Sequence, residues 1–414
     1  MDQSYKDKIK RNNKNKVIKA VVITALIFIT FILGNLAIRL GIVVGPDSKK
    51  YAYAVNMANK YPDFTTLFEV RNDLDLLYDG KIDDKKLAEE ATKAMTNSLG
   101  DRYTVYMNEE EYEDYMESNS GSFIGIGVYI SKADNNVVVS GLIEGGSAKK
   151  SGIKVGDIIK NVDGEDIGGD VEKAVSLISG REEKVLSITI ERANEGTLTL
   201  KVPREKIETS SVDGDMAKDN IGYIRLKNFN KGSSNQFISK LKELSNNGMK
   251  GLILDLRDNG GGYLDEATNI ASQFIKKGDT ITYTIDKYNN KIVHKSDAKD
   301  VYNIPITILI NGNSASASEV LTGALCDYGI AKTVGVTSYG KGIVQEVFPL
   351  SSGEGGLKVT VSKYYFPNGK NIQDKGIKPD YSIELSEELK NNEYSRELDN
   401  QYQKALEVIS SEIK

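Results

Sequence analysis

The sequence predicts an α/β protein of several domains, and three observations carry this prediction. The chain has 414 residues, which at about 100–200 residues per domain implies about two to four domains. An uncharged apolar stretch near the N-terminus separates a basic leader from the rest of the chain. From residue 221 onward, short apolar runs alternate with helical segments, and this order of elements is typical of an α/β domain.

Composition excludes several classes of site. The single cysteine, Cys326, leaves no intramolecular disulfide and no zinc site built on two or more cysteines. The single histidine, His294, excludes a multi-histidine metal site and is the one candidate histidine base for a nucleophile. The single histidine predicts that the base of an enzyme would be another residue. We also expect no metal and no cofactor. The formal net charge of −5 gives no reason to expect nucleic-acid binding.

The N-terminus has the pattern of a membrane anchor. Residues 1–19 contain seven Lys or Arg and two Asp, and residues 20–38 carry no charge. As a helix the uncharged stretch would span roughly 28 Å, close to the thickness of the bilayer core. The basic flank predicts a cytoplasmic N-terminus, a single pass through the cell membrane and an extracytoplasmic body. A cleaved signal peptide is the alternative, although no clear cleavage site follows the stretch.

A polar linker is predicted over residues 39–60, and a helical segment is predicted over residues 61–117. Apolar residues recur at helical spacing between residues 64 and 78 and again between residues 87 and 99. We expect these stripes to pack in a core.

Residues 118–203 change to short β-branched runs separated by Gly and Asp. Gly125-Ile126-Gly127-Val128 opens a predicted strand, and a glycine-punctuated run over residues 146–167 follows about 20 residues later. Together the two motifs resemble a PDZ domain. The resemblance implies that Gly125, Ile126, Gly127 and Val128 bind the C-terminal tail of a peptide, which adds a strand to the sheet edge. A domain retained only as a structural lid is the alternative.

Three later segments carry candidate chemistry. In residues 254–262 an apolar strand runs into three glycines, whose amides can stabilise an anion, although a tight turn without chemistry is the alternative. Residues 310–320 place three serines at a strand-to-helix turn, where one can serve as a nucleophile and any can cap the helix. Lys341 stands between glycines before an apolar strand, and a solvated surface lysine is its ordinary interpretation.

In this order, the segments resemble the C-terminal processing peptidases, the tail-specific serine proteases of family S41. Residues 98–106 are similar to the family's Leu-Asp-Pro-Tyr-Ser/Thr stretch, with Arg102 where Pro is usual, and residues 366–380 are similar to its closing motif. The resemblance covers nearly everything after residue 60. It implies a ClpP/crotonase-like α/β Ser-Lys protease core over residues 204–385, followed by a helical tail over residues 386–414.

The resemblance also implies the site residues. The family nucleophile precedes its lysine by 25 residues, which selects Ser316 for Lys341, and Gln345 stands where the family has the residue that orients this lysine. The remaining implied residues are those whose amides would form the oxyanion hole: Gly261, Gly262 and Ala317.

A lysine base imposes a physical requirement on the fold. Serine is a poor nucleophile without a base, and a lysine pKa of about 10.4 leaves almost no neutral amine at pH 7. The pKa of Lys341 must therefore fall to roughly 7–8 through burial in an apolar pocket. The flanking glycines and the Ile343-Val344 pair that follows are compatible with such burial.

The sequence thus predicts a membrane-anchored, extracytoplasmic serine endopeptidase that grips substrate tails through its PDZ domain and cuts through an acyl-enzyme. Its expected partners are protein or peptide substrates and the membrane, and the segments 61–115 and 386–414 could pair in a homodimer. An inactive, tethered scaffold is one alternative. A cytoplasmic hydrolase whose N-terminus is misread as an anchor is another.

Overall fold

The structure is a computed structural model that describes residues 19, 22–26, 28–30, 56–57, 59–390 and 394–413. It divides into two units, Met1–Ala88 and Glu89–Lys414. Most of the predicted leader, anchor and linker lies outside the described residues. Within the described ranges, no helix has both the length and the apolar character needed to span a membrane.

The described part of the first unit consists mainly of helices. A 3₁₀ turn over Pro62–Phe64 leads into α1 (Thr65–Leu77), and α2 (Asp84–Asn97) begins in this unit and ends in the next. The expectation that the first apolar stripe packs in a core is wrong in this structure, since Phe68 and Leu77 are 70% and 81% exposed. Periodicity determines which residues share a helix face, but it does not supply the surface that covers that face.

The predicted helical segment also contains a strand. β1 (Val105–Met107) pairs with a strand near the C-terminal end of the second unit, and α3 (Glu109–Asn119) follows it. Asn108 begins α3 in a capping box, in which its side chain accepts from the amide of Glu111 and the Glu111 side chain accepts from the amide of Asn108. The purely helical prediction for residues 61–117 is therefore wrong at β1, because its partner strand is remote in sequence.

The next segment is an antiparallel sheet of seven strands with its own apolar core. Its strands are β2 (Ser122–Gly125), β3 (Val128–Ala133), β4 (Asn136–Leu142), β5 (Ile158–Val162), β6 (Glu165–Asp166), β7 (Lys184–Arg192) and β8 (Gly196–Glu208). Its helices are α4 (Ser147–Lys150) and α5 (Val171–Ile178). The order is β2-β8-β7-β5-β4-β3, with β6 beside β5.

The sequence predicted a strand at residues 125–128, but these residues do not form a single strand. β2 ends at Gly125 and β3 begins at Val128, and Gly127 between them has φ +78°. A Cβ at Gly127 would lie 3.2 Å from the Cα of Gly146. The chain turns here and brings the fully buried Ile126 into the core, which a continuous strand would not do.

The remaining residues of the second unit form two sheets. Their strands are β9 (Val212–Met216), β10 (Ile221–Leu226), β11 (Gly251–Asp255), β12 (Thr280–Asp286), β13 (Lys291–Lys295), β14 (Ile306–Ile310), β15 (Ala331–Gly335), β16 (Ile343–Pro349), β17 (Gly356–Tyr365) and β18 (Tyr381–Ser382). Their helices are α6 (Ser233–Asn246), α7 (Leu264–Ala271), α8 (Ala317–Asp327), α9 (Glu387–Lys390) and α10 (Asn400–Glu412).

The larger sheet has the order β18-β15-β14-β11-β10-β9 and is parallel except at β9. Every residue of β11 and β14 is buried, as expected for parallel strands covered on both faces. Helices α6, α7 and α8 contribute to the apolar cluster on one side, and α10 contributes to a second cluster. The α/β prediction for this region is confirmed.

A buried ion-pair network joins α10 to the end of β11. The guanidinium of Arg257 lies 2.6 Å from Asp255 Oδ2 and 2.8 Å from Asp399 Oδ2. Asp399 is fully buried and also caps α10 by accepting from the amides of Gln401 and Tyr402. The network fixes the tail helix against the sheet.

The smaller sheet was not predicted. Its order is β1-β17-β12-β13, with β16 also paired to β17. An apolar cluster that includes Val320 of α8 and Tyr364 of β17 connects this sheet to α8. The sheet thereby holds the loop that precedes β16 beside the start of α8.

Candidate active site

The candidate site lies where three parallel strands end. β11, β14 and β15 are neighbours, and the glycine turn, the serine turn and the lysine loop follow them in that order. Because carboxyl ends of parallel strands meet at one sheet edge, the fold brings the three predicted segments together. They line one cavity of about 1090 Å³, whose walls include Gly261, Gly262, Ser316, Lys341 and Gln345.

The structure separates Ser316 from the two serines that compete with it. The Oγ atoms of Ser314 and Ser318 each donate to a backbone carbonyl at 2.8 Å, those of Leu256 and Asn259, and both serines are fully buried. Ser316 lines the cavity and has φ +57° immediately before α8. A positive φ is uncommon outside glycine and often marks a functional site. Ser316 is therefore the serine with access to a substrate.

Glu319 ties the serine turn to the lysine loop, and sequence reasoning missed it. Its buried carboxylate accepts from the amides of Ser316 at 2.9 Å, Gly340 at 2.7 Å and Lys341 at 2.9 Å. It also accepts from the Ser338 hydroxyl at 2.5 Å. The available signal was an acidic residue three positions after the serine, inside an otherwise apolar helix.

Lys341 is half-buried, and its environment favours the neutral amine. The pKa of Lys341 is lowered from 10.5 to about 8, chiefly by burial and then by the charge of Lys358, against the opposing carboxylates of Glu319 and Asp101. Its Nζ lies 5.1 Å from the ring centroid of Tyr103 and has no hydrogen bond or salt bridge within the described chain. Hydrogen bonds between catalytic groups often form fully only with substrate bound.

Gln345 lies on β16, opposite Thr360 of β17 at an irregularity in the ladder. Its Nε2 donates to Thr360 Oγ1 at 3.5 Å. The orientation of Lys341 by Gln345 stays a prediction, since this contact directs the amide toward β17.

The glycine turn lies directly against Ser316. A Cβ added to Gly261 would lie 2.9 Å from Ser316 Cβ and 3.0 Å from the nitrogen of Ala317. The Gly261 amide, which the sequence predicts as a third oxyanion donor, instead donates to Asn259 Oδ1 at 2.9 Å in this structure. Among the described residues, the amides of Gly262 and Ala317 donate no hydrogen bond and so stay available to an anion.

Residues 101–104, which precede β1, lie over Lys341. The sequence spacing did not reveal this contact. Asp101 accepts from the hydroxyl of Thr104 at 2.7 Å and from the amide of Tyr103 at 3.0 Å. Thr104 in turn accepts from the amide of Thr360 at 3.1 Å. These bonds fix the Tyr103 ring over Lys341 and the Asp101 carboxylate near it. The resemblance of residues 98–106 to a family motif was the signal for this role.

The predicted peptide-contacting residues lie apart from the catalytic cavity. None of Gly125, Ile126, Gly127 and Val128 lines the cavity that holds Ser316. The sheet that bears them is linked to the cavity wall through Arg181, which forms an ion pair with Glu113 on α3. Neighbouring residues of α3, Tyr112 and Tyr115, line the cavity.

His294, on the edge strand β13, also lines the cavity, and burial lowers its pKa. Across the described part of the chain, no group of three or more His, Cys, Asp or Glu side chains is placed to hold a metal ion.

Comparisons with known proteins match this architecture. The sequence profile of peptidase family S41 matches residues 220–383, and the profile of a PDZ domain matches residues 138–192. The chain is 33% identical over 376 residues to the carboxy-terminal processing protease CtpA of Bacillus subtilis (strain 168), covering 90% of this chain and 77% of that protein.

Two further likenesses are of smaller extent. A protein of Staphylococcus aureus (strain N315) described as a CtpA-like serine protease is 36% identical over 310 residues, which cover 74% of this chain and 62% of that protein. A crystal structure of a protein described as an S41 protease, from Bacteroides fragilis, shares the fold with a TM-score of 0.50 and 17% identity, over 78% of this chain and 90% of that one.

Proposed function

The chain belongs to peptidase family S41, and from this premise we propose that it is a membrane-anchored serine endopeptidase that trims the C-termini of extracytoplasmic proteins. The observation that carries the proposal is one cavity that holds a strained serine, a half-buried lysine of lowered pKa and two free amides. These are the nucleophile, base and oxyanion donors that acyl transfer requires.

In the proposed reaction, the neutral amine of Lys341 takes the proton of the Ser316 hydroxyl as Oγ attacks the substrate carbonyl carbon. The amides of Gly262 and Ala317 hold the oxyanion of the tetrahedral intermediate, and Gly261 shapes the turn that presents them. Lys341 then gives its proton to the leaving nitrogen as the C–N bond breaks, which leaves an ester on Ser316. A water molecule, deprotonated by Lys341, hydrolyses the ester and restores both side chains.

Glu319 and Gln345 act as positioning residues in this proposal. Glu319 holds the backbone of both reacting residues through three amide hydrogen bonds. Gln345 turns from Thr360 to the amine of Lys341 during the reaction and fixes its orientation.

We propose that the PDZ domain receives the substrate tail at residues 125–128. The profile match over residues 138–192, and the similarity to a Bacillus protein described as a carboxy-terminal processing protease, support this role. The anchor over residues 20–38 rests on the sequence pattern, and fractionation of cells into membrane and soluble material tests it. Sedimentation of the full-length protein tests the homodimer through residues 61–115 and 386–414.

The function is tested with the detergent-solubilised full-length chain and an unstructured protein substrate. Wild type is expected to cleave it, whereas Ser316→Ala and Lys341→Ala are expected to be inactive and folded. Ser410→Ala, at an exposed position on α10, is the matched control and should cleave normally. Near wild-type turnover by Lys341→Ala would exclude the dyad. A folded wild type that cleaves nothing would favour the scaffold alternative.

A further inference from the structure

A second lysine, Lys358, lines the catalytic cavity and has no role in the mechanism above. It lies on β17, two residues before Thr360, and pairs with Val347 of β16, as Thr360 pairs with Gln345. Alternation along a strand places Lys358 and Thr360 on the same face, with Gln345 and Val347 opposite them. Lys358 therefore belongs to the face of the hairpin that carries Gln345.

This ammonium group has no counter-ion in the described chain. Lys358 forms neither a salt bridge nor a side-chain hydrogen bond there, and its Nζ lies over the ring of Tyr115, 5.1 Å from the ring centroid. The carboxylates of Asp265, Asp286 and Glu346 line the same cavity without pairing with it. A half-buried cation without a carboxylate partner is unfavourable, and burial lowers the pKa of Lys358. An anion that enters the cavity would relieve this cost.

The position of Lys358 relates this cation to the scissile bond. Lys358 and Thr360 lie about 7 Å apart along β17 at about 3.4 Å per residue, which is the length of about two residues of an extended peptide. Gln345, which contacts Thr360, marks the catalytic end of the hairpin. The ammonium thus lies within a few peptide residues of the reaction.

We propose that Lys358 is a specificity-determining residue that binds a carboxylate of the substrate peptide inside the catalytic cleft. The inference rests on the proposed protease function and deepens it. The carboxylate is either the C-terminal carboxylate of the tail or an Asp or Glu side chain near the cut. This contact is separate from the PDZ contact, since residues 125–128 do not line the cavity.

The test measures substrate preference with a synthetic library of unstructured peptides in three forms. The first carries a free C-terminal carboxylate, the second a C-terminal amide, and the third an amide with every Asp and Glu replaced by Asn and Gln. Mass spectrometry gives kcat/KM for the full-length wild type, Lys358→Met and Lys358→Arg. Lys363→Met is the matched control, because Lys363 is exposed on the same strand and lies outside the cavity.

For wild type, Lys358→Arg and Lys363→Met, kcat/KM should be about tenfold higher for the first form than for the third. A tenfold difference is the size expected for one hydrogen bond to a charged group. Lys358→Met should lose the preference, and Lys358→Gln replaces it if methionine disturbs folding. Any effect on the pKa of Lys341 is common to all three forms and cancels in their ratio. A drop between the first and second forms identifies the C-terminal carboxylate, and a drop between the second and third identifies a side chain.

Three outcomes overturn the inference. A wild type that cleaves all three forms equally, or a Lys358→Met variant that keeps the wild-type preference, removes Lys358 from recognition and leaves the protease function intact. A folded wild type that cleaves no form overturns the proposed function, and the inference falls with it.

Discussion

Replacing Lys341 with methionine is expected to stabilise the fold while it abolishes catalysis. In the folded chain the pKa of Lys341 is lowered from 10.5 to about 8, chiefly by burial. The difference corresponds to about 3 kcal/mol at about 1.36 kcal/mol per pH unit, an upper limit because part of the side chain still meets solvent. Methionine has a similar length and carries no charge to desolvate.

The lowered pKa of Lys341 fixes the sign of its effect on the pH dependence of folding stability. Between pH 8 and pH 10.5 the unfolded chain holds the proton of Lys341 and the folded chain does not, so the stability of the wild type rises with pH. The cost of burying Lys341 is complete below pH 8 and disappears above pH 10.5. The advantage of Lys341→Met should therefore fall from about 3 kcal/mol at pH 7 to about 1 kcal/mol at pH 10.

Urea unfolding followed by circular dichroism, at pH 7 and at pH 10, measures this advantage. Lys363→Met is the control, since it removes a lysine that is exposed on β17 and should leave stability nearly unchanged at both values. A Lys341→Met variant that is less stable than wild type at pH 7, or whose gain in stability does not change with pH, would refute the claim that burying the charge of Lys341 destabilises the fold.

Three further outcomes follow from the structure. The kcat/KM of wild type should rise with pH to a plateau, with its midpoint near the Lys341 pKa of about 8, and a flat profile from pH 6 to pH 9 would contradict the base assignment. Glu319→Gln should lower kcat by about 10²-fold, because the reacting residues would be misplaced. It should also move the pH profile to lower pH, because it removes a charge that raises the pKa of Lys341. A shift of the profile to higher pH would contradict this. Asp399→Ala should cost about 3–5 kcal/mol in urea unfolding by leaving Arg257 partly unpaired, while the exposed Glu407→Ala should cost less than about 0.5 kcal/mol, and equal effects would contradict the buried network.

The parallel core was the most predictable part of the fold. The strands β11 and β14 are continuous apolar runs bounded by turn residues, and a helix follows each of them, as the alternation of apolar runs and helical segments predicts. The end of a helix is harder to predict: α7 ends at Ala271, although apolar residues continue to Ile275. Both Phe274 and Ile275 are buried without being helical. An apolar pattern predicts which residues are buried more directly than it predicts their backbone conformation.

The smaller sheet could not be derived from local sequence. β1 pairs with β17 across most of the chain, with Val105 opposite Lys358. Three residues of strand within a helical context give no periodic signal, and the pairing that stabilises them depends on a distant partner. The same remoteness hid the Asp101 and Tyr103 contacts around Lys341, which exist only after that pairing forms.

Some residues of the candidate site were predictable from the sequence, and others were found only in the structure. Resemblance to a family selected Ser316 and Lys341, and the structure adds that the neighbouring serines are occupied by hydrogen bonds to backbone carbonyls. Glu319 and Lys358 carry no sequence motif of their own. Their importance comes from what surrounds them: three amides converge on the first, and the second lacks a counter-ion in the described chain.

The central claim is that Lys341 activates Ser316, and the labelling of Ser316 by a serine-reactive phosphonate probe tests it most directly. Mass spectrometry of the full-length protein locates the adduct and gives its rate of formation from pH 6 to pH 9. We predict an adduct on Ser316 in the wild type, formed at a rate that rises through pH 8, and at least about 10³-fold slower labelling in Lys341→Ala. An adduct on another serine, or a Ser316 labelling rate that Lys341→Ala leaves unchanged, would contradict the claim.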